Sequence, residues 1–401
     1  MSRAGVATVV PKFASRMDRI VGSATLRMNN LATAKRQAGA DVVSFTVGEP
    51  DFDTPQPIKD AAVAALKAGK TKYTPTAGIP ELRKAIAEVA AREQNIPCTP
   101  KNVLVAPAKQ SLFYAIQAFT GKGDEVLIPD PAWVSYDPMV RWAEGTPVPV
   151  GLDAETGFRM TPDAVAEAIT KKSRAVILNS PSNPTGGVNT AADVKGILEL
   201  AVDHDLWVIS DEIYRHLQYE GKNVSVASLP GGFERTWTID GPSKSYAMTG
   251  WRMGWIIAPE PCIEAADRLQ SHSLSNATSF AQDAVVAAIT GPQDSVRTMK
   301  AEFLARRDIM LAGLRLLPGV TCPTPAGAFY AFPKFDTKKW GGLGDDALAM
   351  ALLEKANVAT TPGSAFGSRG KGHLRLSYAC SRERISEGLK RMAAFQKSLV
   401  T

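Results

Sequence analysis

Between residues 102 and 257, short β-branched runs alternate with helical stretches, and no other feature of the chain constrains its fold as much. Val103-Leu104-Val105 precedes a helical stretch over 110–119. Asp124-Glu125-Val126-Leu127-Ile128 stops at Pro129-Asp130-Pro131, and Arg174-Ala175-Val176-Ile177-Leu178 stops at an asparagine–proline loop. A helix over 191–204 leads to Leu206-Trp207-Val208-Ile209-Ser210. Trp237-Thr238-Ile239 and Gly254-Trp255-Ile256-Ile257 complete the series. Strands that alternate with helices predict an α/β fold, a mostly parallel sheet sandwiched by helices. The flanks read differently. Residues 1–45 form an arm and a helix (over 27–38) expected to pack with a small domain. Residues 46–292, with a helix over 57–68, form the large domain. Residues 293–401 form a smaller α+β domain, with a long helix over 293–316, runs at 328–332 and 373–378, and a final helix from 383.

Ligands of such sheets sit at the carboxyl ends of the strands. Asn183, Asp211, Tyr214, Lys244 and Lys109 each follow a predicted strand directly. Lys244 lies in Gly241-Pro242-Ser243-Lys244, eight residues before Arg252. A lysine desolvated near other cations loses its proton readily and becomes a nucleophile. Asp211 ends a very apolar run, with Tyr214 three residues on. Asn183 sits in Pro181-Ser182-Asn183-Pro184-Thr185-Gly186, a rigid turn that presents its amide. Ala108-Lys109-Gln110 opens a helix whose free backbone N–H groups suit a phosphate. Arg252 is a bidentate phosphate partner, and Arg375, inside an apolar strand pattern, needs an anion such as an α-carboxylate. Trp133 is placed to stack on a planar ring, and Lys109 to reach a distal substrate group.

These residues are the parts that pyridoxal phosphate chemistry needs: a lysine for the aldehyde, a carboxylate for the pyridine nitrogen, an amide and a phenol for the ring hydroxyl, and an arginine for the phosphate. Composition narrows the alternatives. The net charge of +6 is spread along 401 residues with no block of Lys or Arg, which argues against a nucleic-acid surface. Cys98, Cys262, Cys322 and Cys380 are scattered, as are the four histidines, so neither a disulfide framework nor a metal site is expected, and the setting reads as cytoplasmic. No apolar stretch is long enough to span a membrane, and the run at 5–10 is too short for a signal peptide. Gly69-Lys70-Thr71 has the ending of a phosphate-binding loop but follows a helix and has Ala64 where the first glycine belongs.

Taken with Gly48-Glu49-Pro50-Asp51-Phe52-Asp53-Thr54-Pro55, Lys72-Tyr73-Thr74-Pro75, Asn183-Pro184-Thr185-Gly186, Asp211-Glu212-Ile213-Tyr214, Ser243-Lys244, Gly250-Trp251-Arg252 and Arg375-Leu376-Ser377-Tyr378, the chain resembles the class I aminotransferases of fold type I, in the prokaryotic aspartate aminotransferase-like branch. The resemblance implies pyridoxal 5′-phosphate as cofactor and ping-pong transfer of an amino group between an L-amino acid and a 2-oxo acid such as 2-oxoglutarate. It implies that Lys244 holds the cofactor and moves the α-proton, with Asp211 on the pyridine nitrogen and Asn183 and Tyr214 on the ring oxygen. Trp133 would stack on the ring. Ala108, Lys109, Gln110, Ser243 and Arg252 would hold the phosphate, and Arg375 the α-carboxylate beneath the Gly48 loop. Tyr73 would reach the phosphate of a neighbouring subunit, which implies a homodimer with shared sites. Two departures stand out: Pro107-Ala108 replaces the Gly-Gly or Ser-Gly of relatives, and Val21-Gly22-Ser23 replaces a Lys-Pro-Ser stretch. No arginine lies within Ser271–Ser279 for a distal carboxylate, but Lys109 favours an acidic or polar substrate. A lyase or amino acid oxidase on the same scaffold is the alternative.

Overall fold

Seven strands form the central sheet of the computed structural model, which describes residues 12–20 and 22–399. The apolar run at 5–10 and Val21 lie outside the described residues. The strands are β1 (Val103–Val105), β2 (Glu125–Asp130), β3 (Thr146–Gly151), β4 (Ser173–Asn179), β5 (Trp207–Asp211), β6 (Thr236–Asp240) and β7 (Trp255–Ile257). Their order across the sheet is β1-β7-β6-β5-β4-β2-β3. Only β7 runs against the rest, pairing antiparallel with both β1 and β6. The pairings of β2 with β3 and β4, of β4 with β5 and of β5 with β6 are parallel. β1, β6 and β7 are buried at every position, as expected of strands covered by helices on both faces.

The sequence pattern finds six of the seven strands. It misses β3, Thr-Pro-Val-Pro-Val-Gly, because Pro147 and Pro149 supply no N–H to a ladder. At the sheet edge, with β2 as its one neighbour, β3 tolerates both prolines. The expected helices form within a few residues of their predicted ends, as Ala24–Gln37, Gln56–Lys67, Ala108–Phe119, Ala191–Asp203, Asp294–Arg315 and Arg382–Ser398. Thr190 starts one of them through a capping box with Asp193. Among the described residues no helix is long and apolar enough to cross a membrane.

The C-terminal region adds an antiparallel sheet of β8 (Tyr330–Ala331), β9 (Thr361–Pro362) and β10 (Leu374–Ser377), in the order β8-β10-β9. Val43–Ser44 pairs parallel with Val358–Ala359. Met28 and Ala32 of the first long helix enter the same apolar core as Phe303, Phe329 and Leu389. That core also takes in Ile213, Tyr214 and Leu217, which follow β5, so the carboxyl edge of the large sheet is seated against the C-terminal region. Gly388 permits one close approach: a Cβ there would lie 2.4 Å from the Phe45 ring.

Candidate active site

The carboxyl ends of β1, β4, β5 and β6 open into one cavity of about 380 Å³. Two of these strands end on a polar residue that lines it. Asp211 is the final residue of β5, and Asn179 the final residue of β4. Asn179 Nδ2 donates to the Asp211 carbonyl oxygen at 3.0 Å, while its Oδ1 accepts from the Asn183 N–H at 3.0 Å. The two strand ends and the asparagine loop are thereby tied together.

Lys244 lies on the short helix Pro242–Ser245 after β6. Its Nζ donates to the Gly48 carbonyl oxygen at 2.6 Å and stands 5.9 Å from the centre of the Tyr214 ring. Burial pushes its ammonium down to about 8, and the Arg252 and Arg375 charges act in the same direction against Glu49 and Asp211. Asp211 is buried, and one oxygen accepts from Tyr136 Oη at 2.6 Å. Burial pushes its carboxyl up to about 6, although the Tyr136 bond and the Lys244 charge pull it down. A carboxylate held this way, without a cation on it, suits a positively charged ring nitrogen.

The cationic side of the cavity is as open to a ligand. Arg375 is 3% exposed. Its Nη1 donates to Asn183 Oδ1 at 3.1 Å and its Nη2 to the Thr46 carbonyl oxygen at 2.6 Å, and its Nε is buried without a partner among the described residues. The guanidinium lies over the rings of Tyr330 and Phe366, at 4.8 and 5.0 Å. Lys109 Nζ lies 4.9 Å from the Trp133 ring centre, and partial burial and the Arg252 charge both lower its proton affinity. Arg252 donates to the Thr249 carbonyl oxygen at 2.8 Å, from a backbone with φ of 55°, a left-handed conformation that non-glycine residues rarely adopt. All four cations are thus held by carbonyls, an amide or a ring face. Their charge stays available for an anion. Helix Ala108–Phe119 aims its N-terminus at the same cavity, where Ala108 and Ser243 line the wall. Among the described residues no group of His, Cys, Asp and Glu could hold a metal ion.

Of the residues singled out in the sequence, Gly48, Ala108, Lys109, Trp133, Asn183, Asp211, Tyr214, Ser243, Lys244, Arg252 and Arg375 all line this cavity. Gln110 does not; its side chain is directed toward Tyr114 one turn along the same helix. Tyr73 is 90% exposed and lies outside the cavity. The structure adds residues that sequence reasoning missed. Tyr136 is fully buried against Asp211, and Tyr330 Oη lies 2.8 Å from Tyr214 Oη. Glu49 Oε2 accepts from Thr249 Oγ1 at 2.8 Å, tying the Gly48 loop to the turn before Arg252. Tyr136 opens a short helix three residues after Trp133, and in the sequence it reads as a core aromatic.

Known proteins resemble this chain over nearly its whole length. Residues 40–392 match the family model described as aminotransferase class I and II. The probable aspartate/prephenate aminotransferase of Aquifex aeolicus is 44% identical over 386 residues, covering 94% of this chain and 97% of that protein. The solved aspartate aminotransferase of Thermus thermophilus with maleate superposes with a TM-score of 0.91 at 41% identity, covering 96% of this chain and all of the other. The aromatic aminotransferase of Pyrococcus horikoshii gives 0.87 at 41% identity, covering 92% and 99%. These relatives span nearly the whole chain and are named for amino-group transfer, not for elimination or oxidation. The fold is that of a fold type I transferase, and the chain belongs to the class I and II aminotransferases.

Proposed function

We propose that this aminotransferase uses pyridoxal 5′-phosphate to move an amino group between an acidic L-amino acid, aspartate above all, and a 2-oxo acid such as 2-oxoglutarate. One observation carries the reading. Lys244, brought down to about 8 by burial, shares a cavity with an under-committed carboxylate and with cations that no carboxylate occupies among the described residues. The residues fit the cofactor. Asp211 matches a protonated pyridine nitrogen. The helix start at Ala108, with Ser243 and Arg252, matches a phosphate. Asn183 and Tyr214 match a ring oxygen, and Trp133 a ring face.

When bound, the cofactor supplies the aldehyde that accepts the amino group and the ring that absorbs the charge left on the substrate Cα. The chain's own groups do the rest. Lys244 Nζ is half neutral near pH 8, so it can take the α-proton and give it back. The Gly48 carbonyl orients that amine. Arg375, with Nε unpaired, orients the substrate through its α-carboxylate. Lys109 takes the distal carboxylate, consistent with relatives named for aspartate and a relative solved with maleate. The aromatic relative argues that the scaffold alone does not choose the side chain. The exposure of Tyr73 supports a homodimer in which it reaches the partner's phosphate site. The Val43–Ser44 pairing with Val358–Ala359 supports a division into 1–45 with 293–401 and a large domain of 46–292. The separate free cysteines support a cytoplasmic setting.

An anaerobic absorbance spectrum tests the reading. L-aspartate should abolish the visible band of the purified protein, and 2-oxoglutarate should restore it. A band that changes only with oxygen, or that changes irreversibly, contradicts transamination.

A further inference from the structure

Tyr214 and Tyr330 form a buried phenol pair with 2.8 Å between their oxygens, linking residues 116 positions apart. Both rings are nearly sealed from solvent, at 4% and 0% exposure. Each phenol has a single proton and can accept as well as donate, so the pair has two possible directions. The site chooses between them. If Tyr214 spends its proton on the cofactor's ring oxygen, it can only accept from Tyr330.

We infer that Tyr330 is a positioning residue, whose proton goes to Tyr214 Oη and turns the Tyr214 proton toward the cofactor ring oxygen. The inference rests on the pyridoxal phosphate reading above. The surroundings hold the pair in place beside the cavity. A Cβ on Gly48 would lie 2.7 Å from Tyr330 Oη, so glycine is what lets the loop approach the phenol. The Arg375 guanidinium lies 4.8 Å from the Tyr330 ring centre, and its charge acts on both phenols. The other titratable groups facing the pair are Asp211, with Tyr136 on its Oδ2, and Lys244 over the Tyr214 ring. A donor that itself accepts a hydrogen bond donates more strongly in a low-dielectric site. Tyr330 therefore helps Tyr214 to stabilise negative charge on the ring oxygen, and so lowers the pH at which the bound cofactor takes up a proton.

Tyr330→Phe removes one oxygen and keeps the ring contacts with Phe329, Tyr214 and Arg375. The test is a pH titration of the holoenzyme's visible absorption in four proteins: wild type, Tyr330→Phe, Tyr214→Phe and the double variant. Tyr330→Phe should raise the midpoint by roughly 0.5–1 pH unit, the size of one neutral hydrogen bond. In the Tyr214→Phe background the same change should move the midpoint no further, because the group it acts through is gone. An unchanged midpoint in Tyr330→Phe, or an equal shift in both backgrounds, overturns the inference while leaving the cofactor reading intact. A wild-type protein that takes up no cofactor overturns both.

Discussion

Asp211 and Glu212 are consecutive carboxylates at the end of one strand, both almost fully buried, and they are treated in opposite ways. Glu212 is saturated. It accepts from Gln94 and Asn223 on one oxygen, at 2.7 and 3.1 Å, and from Ser210 and Ser225 on the other, at 2.8 and 2.7 Å. Asp211 has one short bond from Tyr136 and one long contact, 3.4 Å, from the Ile213 N–H. The same contrast divides two buried arginines. Arg215 is neutralised by Asp240 at 2.6 Å and Glu93 at 3.0 Å, whereas among the described residues Arg375 meets only neutral acceptors. Saturated groups hold the fold. Groups buried without a counter-charge cost stability, and they stay where a ligand supplies what is missing.

The largest effect expected from breaking this contrast is at the amine. Lys244→Ala should lower turnover by about 10²–10⁴-fold, the usual contribution of a positioned proton-transfer group, with the melting temperature little changed. Next comes Arg375→Leu. It removes a charged contact of roughly 1.5–3 kcal/mol, so kcat/KM for aspartate should fall about 10–150-fold. Steady-state kinetics measure both. Glu212→Gln should do the reverse. Its amide turns a donor toward donors and leaves buried groups unpaired, for a loss of about 1–3 kcal/mol in thermal or urea unfolding. The spectrum of the bound cofactor should stay the same. If Glu212→Gln altered that spectrum and spared stability, the division into saturated and available groups would be wrong.

Two smaller effects are pH dependences. Lys244 must be neutral to attack an aldehyde, and its ammonium is lowered from 10.5 to about 8. Cofactor uptake by the cofactor-free protein should therefore quicken as pH rises and level off above about 8. Stopped-flow absorbance follows this directly. Asp211 is ionised above about 6, and the Tyr136 hydrogen bond holds it lower than burial alone would. Tyr136→Phe should raise that value, so that cofactor affinity begins to weaken at a higher pH than in the wild type. Equilibrium dialysis across pH 5 to 8, roughly the range a modest shift would cover, gives the comparison.

Much of this was legible in the sequence, for a physical reason. A parallel sheet buried on both faces needs apolar runs, and a ligand site at its carboxyl edge needs polar residues directly after them. Lys244, Asp211 and Asn183 therefore announce themselves by position. What was hidden depends on long-range contact. Tyr330 sits in the apolar run Ala328–Phe332 and reads as a core aromatic until Tyr214, 116 residues away, is brought to it. Tyr136 is likewise 75 residues from Asp211. The reversed direction of β7 left no mark, because a three-residue strand buried throughout looks the same either way. β3 was hidden by prolines that only an edge position allows.

The central claim is that Lys244 is the residue that holds the cofactor. Borohydride reduction of the holoenzyme, followed by peptide mapping by mass spectrometry, tests it most directly. The account predicts one added cofactor per chain, on the peptide that contains Lys244. A label on Lys109 or on any other lysine, or no label at all, would contradict it.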